Sequence, residues 1–168
     1  MIDKPVIVEG PDGGGKSTLI SSLMASEGLA LAPKFSRSVE GPNQGHVIAA
    51  IKDMDDPLKG YVYDRHPAIS EPIYGTIVRK KDDYVPLAHY VDSWLDRVYV
   101  VICLPPFKVA VENLNVEAQM PGVAENFPLI YGFYEYLLGI NPSRFIHYDY
   151  TVTDSYNELR SKLNASSE

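Results

Sequence analysis

Three things are scarce in this chain, and each scarcity excludes something. Its 168 residues include one cysteine, so no disulfide can form within it. Cys103 lies in the apolar run 98–104, which reads as a buried strand in a protein of a reducing compartment rather than as a reactive thiol. No stretch approaches the ~20 consecutive apolar residues that span a bilayer. The N-terminus lacks a basic segment followed by a long apolar one, so the location expected is the cytoplasm, or the host cytoplasm for a viral chain. Positive charge is the third shortage: 15 Lys and Arg against 22 Asp and Glu leave a formal charge of -7, and from Val98 to Ser143 the only base is Lys108. That balance excludes a nucleic-acid backbone as the main partner, since such sites need a basic surface to release counterions. Free nucleotides met in a local basic pocket remain compatible. His46, His89 and His147 show no metal-site spacing.

What is present organises the chain as one domain, because 168 residues, 45% of them hydrophobic, suffice for one buried core and not for two. Short apolar runs at 4–9, 30–36, 60–64, 98–104 and 144–149 alternate with candidate helices at 16–26, 43–54, 68–80, 86–96, 106–115, 126–139 and 153–164. The alternation predicts an α/β fold, a central five-stranded parallel sheet with helices on both faces. Pro67 and Pro106 suit first helical turns and Gly139 a helix C-terminus. Residues 115–125, polar and broken by Pro121-Gly122, are the least periodic interior stretch, and a lid-like segment is expected at about 113–126.

The most specific pattern is Gly10-Pro11-Asp12-Gly13-Gly14-Gly15-Lys16-Ser17, with an apolar strand before it and a helix-compatible segment from Thr18 after it. This is the spacing of a phosphate-binding P-loop. Gly10, Gly13, Gly14 and Gly15 let backbone N–H groups turn inward on an anion, and the helix that follows presents its positive dipole end to the same point. Lys16 is placed to reach the β- and γ-phosphates, and the Ser17 hydroxyl to ligate a bridging Mg²⁺.

A second pattern, the apolar strand Gly60-Tyr61-Val62-Tyr63 ending in Asp64-Arg65-His66, puts Asp64 and Arg65 beyond the carboxyl end of a strand, where ligands collect in open parallel sheets. Arg65 could there neutralise phosphate oxygens in a transition state. Glu9, directly before the P-loop, reaches the same edge and could hold a water on Mg²⁺ or accept a proton. Tyr150, in the loop after the last strand, is a candidate adenine contact. Tyr131, Tyr134, Leu137 and Leu138 follow helical spacing and read as a packed face.

Together, residues 9–18, Phe35-Ser36-Arg37, Asp64-Arg65-His66 with Ser70 and Tyr74, and Leu104-Pro105-Pro106 resemble the thymidylate kinase family in order and spacing over most of the chain. The resemblance implies a nucleoside monophosphate kinase with ATP as donor and Mg²⁺ as cofactor. In that scheme Lys16, Ser17 and Thr18 serve ATP. Arg37 holds the acceptor's α-phosphate, Arg65 binds the phosphates in transfer, and Asp12 lies near the acceptor's sugar and phosphate. Phe35, Asp64, Ser70 and Tyr74 complete the acceptor site. The trimmed outline would suit a bacteriophage member.

The chain departs from that family in two ways. It has no arginine in the P-loop or the lid, so Arg79-Lys80-Lys81 are candidates for the missing cation, alongside Arg65. Nor does a Phe-and-Arg pair of the kind that reads thymine stand out; Phe35, His66, Tyr74 and Trp94 are candidates to stack on a base. The function expected is phosphorylation of a deoxynucleoside monophosphate, dTMP to dTDP, with room for breadth. Its rivals are a deoxynucleoside kinase acting on a 5′-hydroxyl and a P-loop regulatory ATPase. Small-molecule nucleotides are the expected partners, with no nucleic acid and no membrane, and a homodimer is the oligomer to look for.

Overall fold

The computed structural model describes residues 2–33, 60–80, 95–116 and 119–165. Five strands, β1 (Val6–Glu9), β2 (Ala30–Leu31), β3 (Tyr61–Asp64), β4 (Tyr99–Cys103) and β5 (Phe145–Tyr148), form one sheet in the order β2-β3-β1-β4-β5. Every pairing is parallel, with Val8 opposite both Asp64 and Val101. The helices are α1 (Lys16–Glu27), α2 (Pro67–Ile77), α3 (Phe107–Leu114), α4 (Val123–Ile140) and α5 (Ser155–Ala165), with a 3₁₀ turn at Leu95–Arg97. The expected sheet is therefore present, with shorter strands than the apolar runs suggested.

Side-chain alternation on β1 divides the core in two. Val6 and Val8 pack with Leu19, Ile20 and Leu23 of α1 and with Leu159 and Leu163 of α5. Ile7 points the other way, toward Ile69 and Ile73 of α2 and Phe127, Ile130 and Tyr134 of α4. By the same alternation Glu9 belongs to the α2–α4 side, which sets its surroundings.

Three boundaries shape the site. At the P-loop, Gly15 is left-handed (φ 87) and caps α1. After β3, Arg65 takes φ 66 and His66 returns to extended backbone, its ring Nδ1 accepting from the Ala68 N–H, with Pro67 at the first helical turn of α2. Before α4, Gly122 (φ 87) lets the helix begin at Val123, three residues earlier than residue 126. The described residues between α3 and α4 are 115–116 and 119–122, so α4 begins inside the expected lid-like segment 113–126, because Pro121-Gly122 starts a helix instead of continuing a loop. Among the described residues no helix is long and apolar enough to cross a membrane.

Candidate active site

The P-loop leaves β1 so close to β4 that only glycine fits. At Gly10, φ is 137 and a Cβ would fall 2.3 Å from the Cys103 carbonyl oxygen. The loop then folds back, the Gly14 N–H donating to the Pro11 carbonyl (3.2 Å), and the Lys16 ammonium donates to the same oxygen (2.7 Å). Burial, with the Arg65 charge beside it, pulls the Lys16 amine down to about 8. The same apolar setting pushes the Cys103 thiol up to about 12, as befits an inert buried strand residue. Among these loop residues Ser17 and Thr18 are exposed, at the mouth of a cavity.

Arg65 is the hub. Its backbone N–H donates to Val8 O (3.0 Å), extending the β3–β1 ladder by one residue, and its left-handed φ then aims the side chain back at the P-loop. One guanidinium nitrogen, Nη1, donates to the Tyr134 hydroxyl (3.0 Å), which donates to Glu9 Oε2 (2.9 Å). The other, Nη2, donates to the Tyr74 hydroxyl (3.0 Å), which donates to Asp12 Oδ2 (2.9 Å), and also reaches Asp12 Oδ1 directly (3.1 Å). The guanidinium lies 4.6 Å from the centre of the Tyr74 ring. Two tyrosines thus connect one arginine to two carboxylates.

The two carboxylates differ in state. Burial pushes Asp12 up, but Arg65, Lys16 and the Tyr74 hydroxyl outweigh it, so Asp12 titrates below the usual range. Glu9 has no exposed surface, and burial raises it above the usual range despite Arg65, the His66 N–H (2.7 Å to Oε1) and Tyr134. The water on Mg²⁺ and the proton expected of Glu9 would require an exposed oxygen. It has none, because it faces α4 and not the cavity; its contacts make it a holder of Arg65, His66 and Tyr134.

Two cavities meet at this knot. The larger, about 640 Å³, is lined by Gly13, Gly15, Lys16, Ser17, Thr18, Asp64 and Tyr150 among others, and the smaller, about 220 Å³, by Ser70, Glu71, Tyr74, Arg79, Gln119, Met120 and Val123. Asp12 and Arg65 line both. Asp64, expected with the acceptor, lines the P-loop cavity and not the other. Ser70 is buried, its hydroxyl donating to the His66 carbonyl (3.1 Å). The Tyr150 ring lies where a Cβ on Gly15 would come within 2.8 Å. Phe35, Arg37, Lys81 and Trp94 fall outside the described residues.

Three contributors were not singled out from the sequence. Tyr134 is in the packed face expected of it, fully buried, yet its hydroxyl is wired to Glu9 and Arg65. Asn113, at the end of α3, donates to the Gly13 carbonyl (3.1 Å) and the Tyr150 hydroxyl (2.6 Å), tying both walls of the larger cavity together. Glu71 forms an ion pair with Arg79. Arg79 therefore sits in the smaller cavity with its charge already met, not over the P-loop as a substitute for a lid arginine. Helical spacing at Tyr134 and Glu71 signals only packing, since both lie on buried helix faces; their polar atoms acquire meaning only from the elements they face.

No protein-family model matches the chain, and no curated protein sequence matches it. Solved structures do. YorR from Bacillus subtilis, in complex with phosphorylated GDP, aligns with a TM-score of 0.71 at 18% identity over 96% of both chains. Deoxyadenosine kinase from M. mycoides with bound dCTP aligns with a TM-score of 0.62 at 16% identity, over 96% of this chain and 99% of that one. The same kinase with dCMP and a flexible dCDP aligns at 0.63 and 17% identity, with the same coverage. With its parallel sheet, P-loop and flanking helices, the chain has the α/β fold of the P-loop nucleotide kinases.

Proposed function

We propose that this protein transfers the γ-phosphoryl group of ATP to a deoxynucleoside monophosphate, with dTMP as the foremost acceptor. One observation carries the reading: Asp12 and Arg65 form a wall common to two cavities, one of them lined by the P-loop. A regulatory ATPase needs one nucleotide cavity; a transferase needs two that touch where the phosphoryl group moves. ATP occupies the larger, with its triphosphate on the P-loop and Tyr150 and Asn113 packed beside that loop. The acceptor's phosphate meets Arg65 from the smaller. An acceptor phosphate oxygen attacks the γ-phosphorus, the bond from that phosphorus to the β-phosphate bridging oxygen breaks, and ADP leaves.

The chain's own residues supply position and charge. Lys16 turns from the Pro11 carbonyl to the γ-phosphoryl oxygens, and the Arg65 fork, held on two hydroxyls and Asp12, meets the charge shared between donor and acceptor. The hydroxyl of Ser17 and the carboxylate of Asp64 line one cavity and are hard oxygen donors of the kind Mg²⁺ takes along with phosphates and water, so these two would hold it. A Mg²⁺ ion held by them would supply charge neutralisation for the phosphates.

Transfer to a 5′-hydroxyl is the second reading, and the likeness to a deoxyadenosine kinase favours it. Such a reaction needs a base. Asp12, bound to Arg65 and acidic, is a poor one, and Glu9 is enclosed. An ionised phosphate needs none, and the monophosphate reading rests on that difference; the preference for dTMP rests on the motif resemblance. ADP release is to be followed with a panel of nucleosides and nucleoside monophosphates. Turnover with monophosphates, highest for dTMP, is expected. Turnover restricted to nucleosides transfers the reading to the second hypothesis, and acceptor-independent hydrolysis removes both.

A further inference from the structure

We propose that Glu71 and Arg79 form the element that reads the base of the acceptor. The inference rests on the two-cavity reading above and concerns the end of the smaller cavity away from the P-loop. Glu71 lies within α2. Arg79 lies just past its end, where the chain coils on and the Arg79 N–H donates to the Tyr74 carbonyl (3.0 Å). The two side chains are ion-paired, 11% and 15% exposed, and both line the cavity.

Three features of this pair point to a ligand. The first is an unmet donor. Arg79 Nε is buried and has no hydrogen-bond partner among the described residues. A secluded ion pair is tolerable only when its remaining donors are satisfied, and an orphaned N–H in a cavity wall marks a place where something else accepts. The second is charge balance. Arg65 and Arg79 are opposed by Asp12 and Glu71 among the described lining residues, so the Glu71–Arg79 end offers no surplus for a dianion. The acceptor's phosphate belongs at the Arg65 end, shared with the P-loop cavity, and the uncharged part of the nucleotide lies here. The third is chemistry and shape. A guanidinium beside a carboxylate offers fixed donors next to a fixed acceptor, the complement of a base edge that carries a carbonyl or ring nitrogen beside an N–H. Met120 and Val123 supply apolar surface in the same cavity for the flat faces of a ring.

A pair that merely pins the end of α2 would look similar at rest, so the test must separate reading from holding. kcat/KM is to be measured at saturating ATP for nucleosides and monophosphates of each DNA base, with the parent protein, Glu71→Gln and Arg79→Lys. Glu71→Gln keeps the volume and adds a donor where there was only an acceptor; Arg79→Lys keeps the charge and removes Nε. If the pair reads the base, the ratio between the best and second-best base shifts by at least ~10-fold in each variant while the KM for ATP holds, since sites built to hydrogen-bond a substrate discriminate by unpaired groups. Ratios are independent of how much of a variant is folded. A uniform scaling across all bases overturns the proposal, and so does failure of both variants to fold, because the pair is then structural. The panel also keeps the two hypotheses apart. Phosphorylation state tests the monophosphate reading and base identity tests this one, so a protein that accepts only nucleosides would fail the first and could still pass the second.

Discussion

The two cavities that meet at Asp12 and Arg65 are built by different means. The larger is made chiefly by one continuous turn, residues 10–18, whose shape depends on backbone: left-handed glycines, a helix N-terminus and a strand so near that Gly10 tolerates no side chain. The smaller is assembled from α2, the segment that follows it, the α3–α4 connection and the start of α4, and nearly every polar group in it is a side chain committed to another. A backbone site tolerates change in its surroundings and fails when its own loop changes. A site of linked side chains fails wherever one link is cut. Substitutions in each half therefore probe whether the division is real.

The largest effect is expected in the backbone half, from the single side chain that moves with the phosphoryl group. Lys16→Ala should lower kcat by ~10² to 10³, the cost of losing one preorganised electrostatic stabiliser, with stability nearly unchanged because among the described residues its ammonium donates to the Pro11 carbonyl alone. The intact protein offers a second measure of the same group. Lys16 is charged below its depressed value of about 8 and neutral above it, so kcat/KM, which reports the free enzyme, should fall as pH rises through that value. kcat should fall later, because bound phosphates hold the proton on. A profile that stays level up to the range of an ordinary lysine would mean that burial does not depress Lys16, and its role would then rest on Lys16→Ala alone.

How much of this was legible follows the same division. The P-loop, its flanking strand and helix and the parallel sheet could be read in sequence, because each depends on contiguous residues: glycine spacing, apolar runs, Pro67 and Pro106 at helix starts. The strand-end Asp64-Arg65 was legible as a position but not as a partition, and Asp64 proved to line the P-loop cavity. Glu9 was misread because its motif neighbour is the P-loop, while its direction is fixed by alternation with Ile7, which sends it to α4. Tyr134 and Glu71 were invisible for a related reason. On a helix their spacing signals burial, and only the strand and helix they face turn a buried hydroxyl or carboxylate into part of a network.

Arg65→Lys tests the hinge between the halves. An ammonium can carry the charge but cannot hold Tyr134, Tyr74 and Asp12 at once as the fork does. We expect kcat lower by ~10², because orientation is lost with charge retained, and ATP binding close to that of the parent. Lys108→Ala is the matched control: Lys108 is the only base in the 98–143 stretch and is exposed on α3, so its loss should leave single-turnover rates within ~2-fold, as surface substitutions do. The reverse pattern, a collapse in Lys108→Ala beside an unaffected Arg65→Lys, would move the catalytic charge to the α3–α4 connection.

The smallest effect expected of a site residue, and the sharpest test of linkage, is Tyr134→Phe. The ring stays and only the hydroxyl goes, leaving Glu9 Oε2 and Arg65 Nη1 each one partner short in a buried setting. An unsatisfied buried group of this kind costs ~1 to 3 kcal/mol. The cost should depend on pH with a defined sign. Glu9 is already raised above the usual carboxylate range by burial, and the lost hydroxyl had stabilised its ionised form, so the variant raises it further. The folded variant then keeps its proton to higher pH than the folded parent, and its deficit relative to the parent grows as pH rises through the raised value of Glu9 in the parent. Urea unfolding of both proteins at about pH 5 and about pH 8 measures this: the stability difference should be larger at the higher pH. Turnover should fall only ~10-fold, since Arg65 keeps Tyr74 and Asp12. A stability difference independent of pH would mean that Glu9 does not depend on this hydroxyl, and the two tyrosine links would be separate contacts instead of one network around Arg65.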